Sequence, residues 1–144
     1  MTATDFIQII GTAAFAISGY LVGYNKRLDV LGVVITALLT AVGGGMIRDG
    51  LVGRIPQVFL QTDALIVVFA TLAIAWLIRV QRYRSTYLAA AFIIADAIGL
   101  AAFSITGAQI GMALQLNLFG VISLAFVTAV GGGIARDRKS TRLN

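Results

Sequence analysis

The chain repeats itself after 88 residues. Residues 6–49 align with residues 94–137 without a gap, and 20 of those 44 positions are identical. The correspondence is densest in two places. Gly11, Ala14, Phe15, Ile17 and Gly19 return as Gly99, Ala102, Phe103, Ile105 and Gly107. Thr40, Ala41, Val42, Gly43, Gly44, Gly45, Arg48 and Asp49 return as Thr128, Ala129, Val130, Gly131, Gly132, Gly133, Arg136 and Asp137. Shared apolar composition does not repeat Gly, Thr, Arg and Asp in one fixed register, so the chain is an internal duplication. Each copy sets a glycine triplet inside an apolar run of membrane length, a pattern that points to a pore or carrier made of two related halves.

Composition assigns the class. Of 144 residues, 59% are hydrophobic and 12% charged, with a mean hydropathy of +0.95. That is about half the charge of an ordinary soluble domain. The net charge of +5 lies in short Lys and Arg clusters between apolar stretches, so it reads as charge that orients membrane segments and not as a nucleic-acid surface. Cysteine and histidine are absent, which excludes disulfides, thiol chemistry and imidazole catalysis. Nothing pairs a nucleophile with a base, so neither an enzyme nor a cofactor is expected. The first residues lack a basic n-region, and Ala14 and Ala16, the ends of the first A-x-A, sit inside the first apolar run; that run reads as a retained anchor.

A hydrocarbon core about 30 Å thick needs roughly 20 helical residues. Five stretches approach that length, at about 6–24, 30–48, 62–79, 88–107 and 117–135, and predict an all-α membrane protein with five transmembrane helices. Lys26 and Arg27 follow the first; Arg79, Arg82 and Arg84 the third; Arg136, Arg138, Lys139 and Arg142 the fifth. The positive-inside rule then puts the N-terminus outside a plasma (inner) membrane. A period containing three spans forces the second copy in with opposite polarity, so the repeat is inverted. Residues 1–87 form the first three-helix repeat and 88–137 an incomplete second. The polar tail 138–144 is expected to be non-native, and the chain to be a truncated piece lacking a sixth span.

Three glycines in a row cost a helix about 1 kcal/mol each relative to alanine. A break or kink is therefore expected at Gly43, Gly44 and Gly45 and again at Gly131, Gly132 and Gly133. It would free carbonyls at about 39–43 and 127–131 as cation contacts, tolerated only beside protein or a wet cavity. The competing reading is that the glycines only let helices approach. Neither triplet is a phosphate loop: the run from Gly43 to Gly50 lacks the Lys-Ser/Thr of that motif, and no strand precedes it. Asp96, inside the fourth apolar run, requires a polar surrounding or a partner; Gln8 stands at its place in the first copy. Arg48 and Arg136 are candidate partners or field-setting groups, against snorkelling to the headgroups. Asp63 reads as a helix N-cap. Ser18, Thr40, Thr106 and Thr128 could line a polar path or bond back to their own helices. The small residues Gly11, Ala14 and Ser18, with Gly99, Ala102 and Thr106, suit close helix contact. Phe15 and Phe103 read as packing residues, or as an apolar constriction.

The paired Thr-Ala-Val-Gly-Gly-Gly-x-x-Arg-Asp segments at 40–49 and 128–137, with the paired Gly-x-x-Ala-Phe-x-Ile-x-Gly segments at 11–19 and 99–107, resemble the prokaryotic branch of the trimeric intracellular cation channel family. Its bacterial members are also labelled as glycine-transporter-domain proteins. The resemblance covers residues 1–137. It implies seven helices, two inverted three-helix repeats plus one, in homotrimers whose protomers each carry a pore. It also implies that the triplets kink the second and fifth helices around a path for monovalent cations, chiefly potassium. The chain departs from that pattern in lacking helices six and seven, and in having Gln8 where its second copy has Asp96.

A passive cation pore is thus the leading function. A secondary transporter of glycine or another small zwitterion is the alternative, with Asp96 meeting the ammonium group and a half-helix N-terminus near Met46 or Ile134 the carboxylate. A membrane scaffold whose glycines serve only trimer packing is the third.

Overall fold

The computed structural model describes residues 2–82 and 84–142, with Gln81 and residues 138–142 described by backbone alone. The expectation about the 138–144 tail therefore falls outside the described side chains. Among the described residues there are only helices and turns: α1 (Ala3–Asn25), α2 (Val30–Leu51), α3 (Gln57–Leu60), α4 (Asp63–Leu77), a 3-10 turn at Val80–Arg82, α5 (Ser85–Ala113) and α6 (Leu118–Arg142).

Local chemistry fixes the ends. Thr2 and Asp5 form a reciprocal capping box on α1, which satisfies donors that the first turn leaves open. Asp29 caps α2 by accepting from Gly32 N–H at 2.8 Å, and 88 residues on, Asn117 accepts from Gly120 N–H at 2.8 Å at the start of α6. The α1–α2 and α5–α6 turns repeat as well: Arg27 and Gln115 both take φ of 55°, the left-handed residue that ends a helix. Their backbone bonds match pair for pair, Leu28 N–H to Gly23 O and Leu116 N–H to Gly111 O, each at 3.1 Å.

Four of the five expected spans are helices long and apolar enough to cross a membrane: α1, α2, α5 and α6 up to Asp137. The stretch expected at 62–79 is shorter. It forms α4, 15 residues of apolar helix, about 22 Å at 1.5 Å per residue. Arg79 ends it by taking φ of 51° while its N–H bonds Trp76 O at 3.1 Å. The N-cap is Thr62, without a side-chain bond, so Asp63 is instead the first helical residue, where its charge still favours the helix dipole.

α1, α2, α6 and α5 form a ring in which each packs on the next, and α4 lies against α1 and α2. The contacts obey the 88-residue register. Gly19 nests on Thr36, Ala37 and Thr40, and Gly107 on Leu124, Ala125 and Thr128; Gly23 meets Val33 as Gly111 meets Val121. Gly11 faces Ala102 and Phe103 while Gly99 faces Phe15, so α1 and its copy α5 run antiparallel. That is the inversion the odd number of spans requires. α4 adds Val68, Leu72 and Ala75, one stripe at helical spacing, to the buried cluster of Phe15, Ala16, Tyr20 and Leu21.

Of the break or kink expected at the triplets, the break is corrected. α2 and α6 are α-helical straight through Gly43, Gly44, Gly45 and Gly131, Gly132, Gly133. What the glycines provide is approach. A Cβ on Gly44 would overlap the carbonyl oxygen of Thr128, and one on Gly132 that of Thr40. Backbone packed on backbone recovers in dispersion what the glycines cost in helix propensity, so the helix continues where propensity alone would end it. Gly44→Ala or Gly132→Ala must push α2 and α6 apart and should cost about 1–3 kcal/mol, read as a lower Tm in detergent. Gly50→Ala, with open space around its Cβ, should stay within about 0.5 kcal/mol.

Candidate functional site: two buried arginines either side of an aromatic pair

At the centre of the ring, Phe15 and Phe103 stack with ring centroids 5.1 Å apart and planes 26° from parallel. Both are buried. They come from equivalent positions of α1 and α5, so the pair lies where the two copies meet. Gly132, the second residue of the second triplet, lies beside it, within ordinary contact of the Phe15 ring.

A buried arginine sits on either side of this pair. Arg136 is 6% exposed. Its Nη1 donates to Asp96 Oδ1 at 2.8 Å and to the Ser18 hydroxyl, and Ser18 in turn donates to the same Asp96 oxygen at 2.9 Å. Its Nε reaches Asp137 Oδ1 at 3.1 Å, and its guanidinium lies 5.0 Å from the centroid of Phe92. Three helices are thereby joined, α1 by Ser18, α5 by Asp96 and α6 by Arg136. Guanidinium stays charged at any accessible pH, so its burial requires this degree of satisfaction. Snorkelling is excluded for Arg136, and Asp96 has the partner that its place in an apolar helix demanded.

Arg48, at 2% exposure, is the equivalent on the other side. Its Nε and Nη2 both donate to Asp49 Oδ1, at 2.9 and 2.8 Å. The carboxylate's other oxygen accepts the N–H of Gln57 at 2.9 Å, which ties α3 to the end of α2. The copies have divided the work differently. In the first, the adjacent aspartate is buried with the arginine (side chains 7% and 3% exposed); in the second, Asp137 is 71% exposed and the buried partner is Asp96. Gln8, the counterpart of Asp96, brings no charge to Arg48 and bonds Gln57 instead.

Cavities adjoin both ends. On the α3 side a pocket of about 30 Å³, room for a water molecule or two, is lined by Gln8, Thr12, Gly45, Met46, Arg48 and Phe103 among others. Beyond it opens a cavity of about 580 Å³ carrying Asp5, Gln61 and Asp63. On the other side a cavity of about 400 Å³ runs between Tyr24 and Asn25 of α1 and Ser85 and Phe92 of α5. Along α1 the polar residues Asp5, Gln8, Thr12, Ser18 and Asn25 recur at helical spacing, and Phe15 interrupts them midway.

The sequence-predicted residues divide accordingly. Asp96, Arg136 and Ser18 come together, and Arg48 occupies the opposite end. The hydroxyls of Thr40, Thr106 and Thr128 bond carbonyls of their own helices, those of Thr36, Phe103 and Leu124, at 2.6, 3.1 and 2.6 Å. Gly45 and Gly133 lie beside the folded arginines, where a Cβ would stand in ordinary contact with a guanidinium nitrogen at 3.7 or 3.8 Å. Sequence reasoning missed Gln57 and the second duty of Asp49. The signal for Asp96 with Arg136 was present, since the 40-residue separation of the two recurs between Gln8 and Arg48. Asp96→Asn leaves Arg136 with the exposed Asp137 and should cost about 1–3 kcal/mol, whereas Ser18→Ala should cost less than about 1 kcal/mol. Thermal unfolding in detergent checks both.

Residues 5–82 and 93–140 match the family described as glycine transporter. A UPF0126 membrane protein of Deinococcus radiodurans is 38% identical over 92% of this chain and 60% of its own length. YvgT, a UPF0126 membrane protein of Bacillus subtilis, is 37% identical over 94% of this chain and 66% of its own, and the inner membrane protein YadS of Escherichia coli 33% identical over 92% and 63%. The chain thus spans about three fifths to two thirds of these relatives. Among solved structures, a prokaryotic TRIC channel crystallised in 0.5 M KCl superposes with a TM-score of 0.89 at 32% identity, covering 95% of this chain and 70% of that one. The trimeric intracellular cation channel orthologue from Rhodobacter sphaeroides gives 0.87 at 28%, covering 97% and 71%. With a family match along most of its length and a fold shared with these structures, the chain belongs to the glycine-transporter family of membrane proteins.

Proposed function

We propose that the protein conducts monovalent cations, chiefly potassium, through a path inside each protomer. The observation that carries this reading is a line of polar residues along α1, with a cavity at each end and the stacked Phe15–Phe103 pair across its middle. The likeness to structures of prokaryotic TRIC channels supports it. In this reading α2 and α6, the helices with the glycine triplets, flank the path, and Gly43, Gly44, Gly45, Gly131, Gly132 and Gly133 set how closely they approach. Arg48, Asp96, Arg136 and Ser18 supply its fixed charge and hydrogen bonds. Thr40, Thr106 and Thr128 line it with hydroxyls already engaged in their own helices. At the Arg136 end one guanidinium meets two carboxylates, the part-buried Asp96 and the exposed Asp137.

Residues 1–87 and 88–137 act as two inverted copies in a plasma (inner) membrane, with the N-terminus outside and the protein a homotrimer. Phe15 and Phe103 form a dry constriction of the kind that gates by excluding water, so the arrangement described here is closed. A carrier of glycine or another small zwitterion is the second reading, favoured by the description of the family. Continuous α2 and α6 remove both the half-helix N-termini that would have met a carboxylate and the freed carbonyls that would have met a cation, so the pore reading rests on the polar line along α1 and the likeness to TRIC channel structures.

Planar-bilayer recording of the protein should give potassium currents that do not saturate as a carrier does, and Phe103→Leu, which narrows the aromatic barrier while keeping an apolar side chain, should raise them several-fold. Saturable glycine uptake driven by an ion gradient, without potassium current, would overturn the proposal.

A further inference from the structure

The two cavities on the α3 side share Gln8, Thr12, Gln57, Val58 and Ala64 in their walls, yet only the smaller one reaches Met46, Arg48 and Phe103. Between them lies an amide contact: Gln8 Nε2 donates to Gln57 Oε1 at 3.4 Å. Gln57 also donates from its side chain to Gln61 Oε1 at 2.9 Å. Its backbone N–H is held on Asp49 Oδ2 at 2.9 Å, and the other oxygen of that carboxylate is held by Arg48. Arg54 N–H, bonded to Asp49 O at 2.8 Å, fastens the same loop a second time. A four-residue helix in an exposed loop is thus anchored to a nearly solvent-free ion pair. A solvated connection would not need such an anchor.

We propose that Gln8 and Gln57 form an amide septum closing the α3-side entrance of the path, and that Asp49 is the positioning residue that holds Gln57 across it. The proposal rests on the path described above. The duplication supports it, because Gln8 stands where Asp96 stands in the second copy. At the Arg136 end, that position closes on an arginine through an ion pair; at the Arg48 end, the arginine is already neutralised by Asp49, and the position closes on a neutral amide. A long, neutral hydrogen bond at an exposed site is weak and opens readily. Both partners carry carbonyl oxygens that can turn to a passing cation and replace part of its water shell.

The chain has no cysteine, so single cysteines report without background. Met46→Cys lies behind the septum and Ile9→Cys in front of it. In proteoliposomes, a charged methanethiosulfonate reagent is added on the side that carries the α1 N-terminus, and modification rates are compared with and without Gln57→Ala or Gln8→Ala. Loss of one net hydrogen bond predicts about a fivefold faster reaction at Met46→Cys, with Ile9→Cys unchanged. An unchanged Met46→Cys rate in both backgrounds, or an equal rise at Ile9→Cys, overturns the septum. Accessibility is read without any ion flow, so a protein that passes no current still reports on the amide pair.

Discussion

Everything in this bundle depends on α2 and α6 meeting backbone to backbone. Gly44 lies on the carbonyl of Thr128 and Gly132 on that of Thr40, and a side chain at either position would hold the copies apart. In a lipid solvent apolar side chains gain nothing by leaving the surroundings, so helices associate through close packing and polar bonds. The triplets supply the first and the arginines the second. Because each arginine lies three residues beyond its triplet, close approach of the backbones also buries a guanidinium, and each burial calls for a carboxylate. Asp49 answers at one end and Asp96 at the other. Packing and electrostatics here are two results of one ten-residue segment used twice.

The same economy explains how much of the fold was legible. The 88-residue register, together with three spans per period, required α1 and α5 to be antiparallel, and Gly11 with Ala102 and Gly99 with Phe15 bear that out. The one N-cap read from the sequence, Asp63, is instead the first helical residue of α4, while Asp29 and Asn117 cap α2 and α6. The triplets misled because propensity is a local quantity. Three glycines weaken an isolated helix, but the cost is offset by a neighbour that only glycine admits, and nothing within ten residues of Gly44 reveals that neighbour. The third span was overestimated for a related reason: hydropathy continues through Ile78, while the left-handed Arg79 ends the helix.

The site was legible where the duplication could be used and obscure where the copies diverge. Asp96 stood out as an isolated charge in an apolar run, and its distance from Arg136 was open to reading. Gln57 lies outside the 44 positions that align between the copies, and its bond to Asp49 is made by backbone N–H, which any residue but proline could supply. No residue type announces such a contact. The threonines show the converse: polar and repeated, they invite a functional reading, yet each hydroxyl is occupied within its own helix.

One difference between the copies has a directional consequence. A duplication that kept Gln8 and Asp96 alike would have produced two chemically matched mouths, and an ion would meet the same landscape from either compartment. With an amide at one mouth and a carboxylate at the other, the electrostatic profile along α1 loses its mirror relation although the backbone keeps it. The two ends of the bundle are therefore electrostatically unlike, while the helices that build them stay related by the repeat.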